Sequence, residues 1–429
     1  MAALRARAVQ VLDLNWAGDH TVPARSLYPH QWSWDSAFTA IGLAHVRPDR
    51  AWRELHTLFR AQWADGRVPH IVFNPEVPAE NYFPGPGFWD APATPHLPPR
   101  STTGLVQPPV HALAVHEVFR RTGDRGRLAW FYPRLCAQQD YLAARRDAGA
   151  DGLVSITHPW ESGLDNSPGW DTAMARVPAD PELLRVHRRR DNVVAAPAHR
   201  PTDEDYSRFL AIAGAYRDRG YDDTDLVGRH PFVMECPSFN ALYALAESTL
   251  AEIAAELGRP GAHHRERARA VVTAMVAHLH DRRTGMFHAR DVLSGERSPA
   301  RCVNGLVPLV LPGLPDEVVT SLIEVATSPR FGLGGPLPVT SYDRTAADFD
   351  AVRYWRGPIW INMNWLLRRG LIGHGRAALA AVLRDRTLGL IDAGGSFEYY
   401  DPRTGAGLGA PEFSWTAALA LDLLSDPLD

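Results

Sequence analysis

Residues 160–171 read Trp-Glu-Ser-Gly-Leu-Asp-Asn-Ser-Pro-Gly-Trp-Asp, three carboxylates and two tryptophans among turn-forming residues. A second cluster, Gly-Gly-Ser-Phe-Glu-Tyr-Tyr-Asp-Pro-Arg-Thr-Gly at 394–405, begins more than two hundred residues downstream and is followed by Glu-Phe-Ser-Trp-Thr at 412–416. Two clusters this far apart can face each other only if the chain closes on itself, which predicts a ring-like fold. Carboxyl groups beside indole rings fit sugar chemistry, because a partly apolar setting keeps an acid protonated and flat aromatic rings stack on a pyranose.

The rest of the chain is a succession of helical segments separated by loops rich in proline, glycine and aromatic residues. In one segment Phe239, Leu242 and Leu245 recur at steps of three, which gives one apolar face, and Ser238 or Asn240 is placed to cap its start. Sustained alternation of the kind typical of strands is scarce. Helices are predicted over about 2–13, 35–45, 48–64, 107–121, 126–147, 204–219, 237–257, 260–281, 314–328, 358–370, 373–386 and 412–425. Twelve helices predict six hairpin pairs and an all-α fold.

Length and composition favour one large globular domain over residues 1–429. The chain is 45% hydrophobic and 22% charged, with a formal net charge of −4, which argues against a nucleic-acid-binding protein. The longest apolar run, at 305–314, is interrupted by two prolines and is too short to cross a membrane. We therefore expect a small-molecule partner and no membrane partner, whereas the oligomeric state stays open between a monomer and a homo-oligomer.

Neither the cysteines nor the histidines form a pattern typical of a metal site. The three cysteines are odd in number, widely separated and outside any Cys-x-x-Cys pair, which indicates no disulfide framework and a reducing cytoplasmic location. The histidines at 263–264 and 278–280 fall in predicted helices without supporting carboxylates. We predict no metal and no cofactor, and we find no signal peptide at the N-terminus.

Glycoside hydrolysis usually requires two carboxyl groups, one to protonate the leaving oxygen and one to act as nucleophile or base. Asp165 and Glu398 are the pair that the two clusters favour. Asp165 precedes Asn-Ser-Pro, a turned context in which it could equally cap a helix or close an Asx turn. Glu398 lies between two aromatic residues, where an ordinary solvated glutamate is an equal alternative.

Two further motifs place aromatic rings at the starts of predicted helices. In Tyr-Pro-His-Gln-Trp-Ser-Trp-Asp at 28–35, Asp35 with Trp32 and Trp34 would supply a carboxylate for sugar hydroxyls and an aromatic wall. The alternative is an aromatic core with Asp35 as a helix N-cap. Tyr-Trp-Arg-Gly-Pro-Ile-Trp-Ile-Asn at 354–362 repeats this pattern, with Pro358 expected in the first helical turn.

Taken together, these motifs resemble glycoside hydrolase family 63 and, within it, the bacterial hydrolases of mannosylglycerate and glucosylglycerate. The resemblance also includes Gln-Pro-Pro at 107–109 and runs over nearly the whole chain in the same order. It implies an (α/α)6 barrel with catalytic loops on one face. It also implies inverting hydrolysis, with Asp165 as general acid and Glu398 as general base, which in an inverting enzyme stand about 6.5–9.5 Å apart.

The resemblance carries binding roles onto the matching positions as well. Sugar contacts are expected from Tyr28, Trp32, Trp34, Asp35, Trp355 and Trp360, and glycerate contacts from Tyr82, Gln107, Arg200, Tyr206 and Tyr354. One departure is Gly169, which stands where relatives often carry an arginine. It leaves open the sugar preference or the geometry of residues 160–171, which carry Asp165 and are called the acid loop below.

The anion contact can also be argued from the residues. Arg200 could hold a carboxylate in a bidentate, charge-assisted pair that the Tyr206 hydroxyl completes, although an exposed arginine is the alternative in so arginine-rich a chain. The stretch from about 172 to 205 is the least helical and the most charged. Its arginine run at 188–190 is predicted to be a solvated surface, with a mobile lid over the substrate as the alternative.

The hypothesis is therefore an inverting α-glycosidase that releases a hexose and D-glycerate from a small anionic glycoside. The sequence does not discriminate between glucose and mannose, which differ in the orientation of one hydroxyl. A neutral disaccharidase of the trehalase or α-glucosidase type and a sugar epimerase are rivals, although an epimerase would require histidines at the centre of its pocket. A non-catalytic sugar-binding protein on the same barrel is a rival from another class.

Overall fold

The computed structural model describes residues 1–91, 97–98, 100–187 and 189–425. Within these ranges twelve helices have eleven residues or more, and we number them in chain order. They are α1 (Ala2–Leu14), α2 (Ser33–Leu43), α3 (Pro48–Phe59), α4 (His111–Thr122), α5 (Arg125–Arg145), α6 (Asp203–Asp218), α7 (Pro237–Glu256), α8 (Ala262–His278), α9 (Asp316–Thr327), α10 (Ile361–Gly373), α11 (Ala377–Gly394) and α12 (Ser414–Ser425).

Five of these helices and one short segment close into an inner ring. Helix α2 contacts α4, α4 contacts α7, α10 contacts α12, and α12 returns to α2. The gap between α7 and α10 is filled by two 3-10 turns, of which Val307–Val310 packs on both helices and Val303–Gly305 packs on α7. All eleven residues of α2 are buried, as expected for a helix that is enclosed on every side. The predicted (α/α)6 barrel is therefore confirmed.

The outer helices cover this ring, each with one buried face. Helix α1 packs on α12, α3 on α2 and α4, α5 on α4 and α7, α8 on α7, and α11 on α10 and α12. In α3, for example, residues Trp52, Leu55 and Phe59 are buried at steps of three and four. The first and last long helices of the described chain thus meet, which closes the ring that the two separated clusters required.

The prediction of six helical hairpins is wrong in one respect. Helix α6 packs on the short helix Glu182–Val186 and on the 3-10 turn Pro86–Trp89, beside the ring instead of within it. The apolar run that contains Val307–Val310 takes the vacant inner position, where Pro308 keeps it from forming a regular α-helix. The local pattern of α6 is that of any amphipathic helix, so its place in the fold is visible only in three dimensions.

Strands are short and lie in the loops. They are Gln31–Trp32, Ile71–Val72, Ser155–Ile156, Met234–Glu235, His280–Asp281, Met286–Phe287, Arg290–Asp291, Tyr399–Tyr400 and Gly407–Leu408, all in antiparallel pairings. The remaining short helices are Asp171–Met174, Asp191–Val194 and Leu226–Arg229. Among the described residues, none of the helices has the length and apolarity that a membrane crossing requires.

Some predicted helix starts differ from the structure for local reasons. Helix α4 begins at His111, after the two prolines that the prediction had included, and α10 begins at Ile361, so Pro358 precedes the helix. Neither Ser238 nor Asn240 caps α7, because the N-cap position is Cys236 and the helix begins at a proline. Asn240 instead bonds the backbone of Val154.

Candidate active site

Two adjoining chambers lie on the face of the barrel where the inner helices begin. The barrel chamber, about 360 Å³, is lined by residues that precede or open α2, α4, α10 and α12, together with Asp165 and Glu398. The loop chamber, about 540 Å³, is lined by the loops around 82–89, 160–165 and 190–206. Four residues line both chambers, namely Tyr28, Trp32, Asp165 and Tyr354.

All thirteen residues to which the sequence assigned a role line one of these chambers. The barrel chamber alone contains Trp34, Asp35, Gln107, Trp355, Trp360 and Glu398, and the loop chamber alone contains Tyr82, Arg200 and Tyr206. Gln107 is the one expected glycerate contact that lies apart from the others. Its side-chain oxygen accepts a hydrogen bond from the backbone N–H of Trp34 at 3.1 Å, so it holds the start of α2.

Asp165 projects from the acid loop at the boundary between the chambers. Burial raises the pKa of this carboxyl from 3.8 to about 7, with the nearby positive charge of Arg200 acting in the opposite direction. The negative charge of Glu398 raises it further. A carboxyl group with a pKa near neutrality can carry a proton at physiological pH and deliver it.

Glu398 is buried on the wall of the barrel chamber, and donors surround its carboxylate. The Tyr28 hydroxyl donates to Oε1 at 2.8 Å, and the backbone N–H of Ala410 donates to Oε2 at 3.0 Å. The Arg200 guanidinium lies 3.3 and 3.4 Å from the two oxygens. Gly409 packs directly over this carboxylate at φ +72°, where a Cβ atom would overlap Oε2. These contacts fix the orientation of the Glu398 carboxylate.

The three carboxylates of the acid loop have three different environments. Glu161 is 0% exposed and pairs with Arg146 through contacts of 2.9 and 3.0 Å. Burial alone would raise the pKa of Glu161, but Arg146 and the hydrogen bonds to Glu161 lower it below its ordinary value. Asp171 pairs with Arg356 at the surface, at 2.8 and 2.9 Å. Of the three, only Asp165 lines a chamber.

The acid loop is held by contacts at its turn and along its length. Gly163 has φ +72°, and a Cβ atom there would overlap the indole of Trp34, so this turn requires glycine. The Trp170 indole donates to the carbonyl of Leu164 at 2.8 Å, next to the acid. The Asn166 side chain accepts from the backbone N–H of Trp355 at 3.0 Å. These contacts fix the backbone on both sides of Asp165.

Stacked aromatic rings form one wall of the barrel chamber. Trp355 and Trp360 are parallel, with ring centroids 3.7 Å apart, and Tyr399 stacks on Trp360 at 4.8 Å. The indole N–H groups of Trp32, Trp355 and Trp415 are buried and make no hydrogen bond with the chain that the structure describes. Buried donors without partners favour a ligand that brings its own acceptors, as sugar hydroxyls do.

Tyr354 joins the two chambers in a strained backbone conformation. Its φ of +41° is uncommon for a residue with a side chain, and the Trp360 indole N–H holds its carbonyl at 3.0 Å. The guanidinium of Arg200 lies 4.0 Å from the centre of its ring. The strain is typical of functional positions, and it fixes the tyrosine beside the predicted anion contact.

The loop chamber also contains three residues outside the predicted set of site residues. Asp191 accepts from the Nε of Arg200 at 3.2 Å and from Arg189 at 2.7 Å, and Arg190 lies on the chamber wall. No motif marked Asp191, whose partners lie in an arginine run and a distant loop. His70 lines the same chamber, and burial lowers its pKa to about 3, so its ring is neutral at physiological pH.

The predicted solvated surface at the arginine run is wrong for Arg189, whose side chain is 8% exposed and lies over the Tyr206 ring at 4.1 Å. Arg190 is exposed, as expected. Arg188, the first residue of the run, lies outside the described residues.

Gly169 lies beside Ser167 and Cys302 in the acid loop. Among the described residues, no group of three or more histidine, cysteine or acidic side chains is arranged to hold a metal ion.

Comparison with known proteins places this site in a family. The sequence model described as mannosylglycerate hydrolase MGH1-like glycoside hydrolase domain matches residues 28–416. The chain is 41% identical to a mannosylglycerate hydrolase from Rubrobacter radiotolerans, with 98% of this chain and 96% of the relative covered. It is 38% identical to a glucosylglycerate hydrolase from Mycolicibacterium hassiacum, over 98% of this chain and 97% of the relative.

A solved structure agrees with these relatives. The crystal structure of the family 63 mannosylglycerate hydrolase from Thermus thermophilus, in complex with Tris and D-glycerate, superposes with a TM-score of 0.90 at 39% identity and covers 99% of this chain and 100% of that one. The rival hypothesis of a non-catalytic barrel is therefore set aside. The chain belongs to the mannosylglycerate hydrolase MGH1-like enzymes of glycoside hydrolase family 63, and it is a glycoside hydrolase.

Proposed function

We propose that the protein hydrolyses mannosylglycerate or glucosylglycerate to a hexose and D-glycerate, with inversion at the anomeric carbon. The observation that carries the proposal is the placement of the two carboxyl groups. Asp165 lines both chambers, whereas Glu398 lines the barrel chamber alone. A glycoside with its hexose in one chamber and its glycerate in the other would place the bond to be cleaved beside Asp165.

Asp165 acts as the general acid in this proposal. Its pKa of about 7 leaves a substantial protonated fraction at neutral pH. Transfer of that proton to the glycosidic oxygen lets glycerate leave with a neutral hydroxyl group in place of an alkoxide. The bond breaks through an oxocarbenium-like transition state, in which the ring oxygen shares the positive charge.

Glu398 acts as the general base. Its carboxylate takes a proton from a water molecule, which attacks the anomeric carbon on the face opposite the departing oxygen. Tyr28 and Arg200 orient the carboxylate through their hydrogen bonds to it. One acid and one base on opposite faces produce inversion, because a single displacement occurs without a covalent enzyme intermediate.

The hexose is proposed to occupy the barrel chamber. Trp355 and Trp360 line this chamber as a mutually stacked pair, and the unpartnered indole N–H groups of Trp32 and Trp355 would donate to sugar hydroxyls. Burial raises the pKa of Asp35 well above its ordinary value, so its carboxyl can both donate and accept. The relatives include both a mannosylglycerate hydrolase and a glucosylglycerate hydrolase, so the assay below decides between mannose and glucose.

The glycerate is proposed to occupy the loop chamber, among the side chains of Tyr82, Arg200, Tyr206 and Tyr354. Residues from about 172 to 205 would form a mobile part of a single catalytic domain and close over the glycerate. We also propose a cytoplasmic location, which the three free thiols favour.

The test is an assay of hexose release from glucosylglycerate, mannosylglycerate, their glycerate-lacking analogues and trehalose. Proton NMR of the first-released anomer reports inversion or retention. We expect one or both glycosylglycerates to be hydrolysed to the β-anomer, and the Asp165→Asn and Glu398→Gln variants to lose about 10²–10⁴-fold in kcat.

Glu412→Gln is the matched control, because Glu412 is an exposed carboxylate in the loop just beyond Glu398. It should retain the wild-type kcat. Turnover of trehalose at a rate that Arg200→Ala does not change would favour the neutral-disaccharidase alternative. Wild-type turnover by Asp165→Asn or by Glu398→Gln would remove that residue from its role.

A further inference from the structure

The positive charge of Arg200 is already shared by two protein carboxylates. Its Nε donates to Asp191 at 3.2 Å, and its Nη1 lies 3.3 and 3.4 Å from the oxygens of Glu398. Its Nη2 donates to the Tyr28 hydroxyl at 2.9 Å. Arg200 keeps N–H groups to offer, since a guanidinium has five, but it contributes little net charge to the loop chamber.

Arg190 is the second cation on the wall of this chamber, and its surroundings differ. Its Nη1 donates to the backbone carbonyl of Glu80 at 3.0 Å, which is a neutral acceptor. Within the described residues it has no carboxylate partner, whereas its neighbour Arg189 pairs with both Asp191 and Asp203. The charge of Arg190 is therefore available to a ligand.

A glycerate in the loop chamber would otherwise meet an unfavourable balance of charge. Apart from the tyrosines and the neutral His70, the other ionisable residues on the described wall are Asp165, Asp191 and Arg200, and Arg200 is the shared guanidinium described above. Both arginines that pair with Asp191 are thus already engaged by protein carboxylates, and a substrate carboxylate that enters this chamber would lose its hydration unless another cation compensates.

We propose that Arg190 binds the carboxylate of the substrate and makes the enzyme selective for acidic over neutral glycosides. This inference rests on the proposed function, which supplies the anionic glycerate. In binding it, the guanidinium exchanges a hydrogen bond to a neutral carbonyl for a pair with an opposite charge, which the guanidinium can make in bidentate form. Arg190 would thus be a specificity-determining residue in addition to the expected glycerate contacts.

The test compares two substrates across four proteins. KM and kcat are measured for the hydrolysed glycosylglycerate and for its neutral counterpart, in which glycerol replaces glycerate. The proteins are the wild type, Arg190→Ala, Arg190→Lys and Arg185→Ala. Arg185 is the matched control, because it is an exposed arginine on the same segment that pairs with Glu182 away from the chamber wall.

For Arg190→Ala we expect KM for the acidic substrate to rise by about tenfold or more, the loss typical of a hydrogen bond to a charged group, with a much smaller change in kcat. KM for the neutral substrate should change less than twofold, so the preference for the acidic substrate should fall by about the same factor. Arg190→Lys should recover part of the loss, since lysine keeps the positive charge but lacks the planar pair of donors with which a guanidinium binds a carboxylate. Arg185→Ala should match the wild type on both substrates.

An equal rise in KM for both substrates would assign Arg190 to loop packing and overturn the inference, as would an unchanged KM for the acidic one. Calorimetric binding of D-glycerate and of glycerol keeps this inference separate from the proposed function. If the wild type cleaves no glycosylglycerate, the proposed function fails, and D-glycerate binding still decides the role of Arg190. Weaker binding of D-glycerate to Arg190→Ala than to Arg185→Ala would support the role, and equal binding would refute it.

Discussion

Replacing Asp165 by asparagine should change how the stability of the protein depends on pH. Burial raises the pKa of this carboxyl from 3.8 to about 7 in the folded state, whereas the unfolded chain keeps the ordinary value. Between these two values the folded protein holds a proton that the unfolded chain has lost. The stabilising contribution is therefore fully present below about pH 4 and disappears as the pH rises through about 7.

The size of the effect follows from the shift. At about 1.4 kcal/mol per pKa unit, a shift of about three units corresponds to about 4 kcal/mol, of which about 3 kcal/mol falls between pH 5 and pH 8. The unfolding entropy of a chain of this length is about 0.9 kcal/mol/K at the thermal midpoint. Asparagine cannot ionise, so the Tm of the variant minus that of the wild type should increase by about 3 °C from pH 5 to pH 8.

Thermal unfolding of both proteins, followed by circular dichroism at pH 5, 6, 7 and 8, measures this difference. Subtracting the Tm of the wild type from that of the variant removes the contribution of every other titrating group that the two proteins share. Asp180→Asn is the control for replacing an aspartate by asparagine, because Asp180 is exposed and lies outside both chambers. A difference for Asp165→Asn that is constant over this range, or that falls as the pH rises, would refute the reasoning.

Two further predictions concern the acid loop. The kcat/KM of the wild type should fall above about pH 7 along a one-proton limb, as Asp165 loses its proton, and a pH profile without such a limb would contradict its role as acid. Glu161→Gln should lower the free energy of unfolding by about 1–3 kcal/mol, because it removes one of the two buried carboxylates that pair with Arg146, the other being Asp223 at 3.2 Å. Asp171→Asn, at a carboxylate that is 55% exposed, should cost less than about 1 kcal/mol, and equal losses of Tm in the two variants would contradict this distinction.

The number and positions of the long helices were predictable because their apolar periodicity is local. The sequence did not predict which of these helices lie in the inner ring, which lie in the outer ring and which lie in neither. Helix α6 has the same amphipathic character as the others but packs on short loop helices, and residues 303–310 fill an inner position without forming an α-helix. Both facts depend on which surfaces are left uncovered once the other helices have assembled, and no window of the sequence contains that information.

The candidate site was predictable to the extent that its residues occur in dense motifs. Asp165 was chosen among the three carboxylates of this loop from its turned context, which left helix capping as an equal alternative, and the resemblance to the family then implied its role as general acid. In the structure, ion pairs with arginines distinguish the other two carboxylates from Asp165, because Glu161 pairs with Arg146 and Asp171 pairs with Arg356. Asp191 and Arg190 were missed because they lie in a charged segment with no aromatic motif beside them.

The electrostatics of the site depend on Arg200 more than its expected role as a glycerate contact would imply. Its guanidinium faces Glu398 and Asp191, and its charge counteracts the effect of burial on the pKa of Asp165. Burial without that charge would raise the pKa of Asp165 further, and the acid would hold its proton more tightly than transfer at neutral pH requires. Without Arg200, the buried Glu398 carboxylate would also lose its positively charged partner. The charge of one buried arginine thus acts against burial at the proposed acid, whose pKa nevertheless stays raised, and pairs directly with the carboxylate of the proposed base.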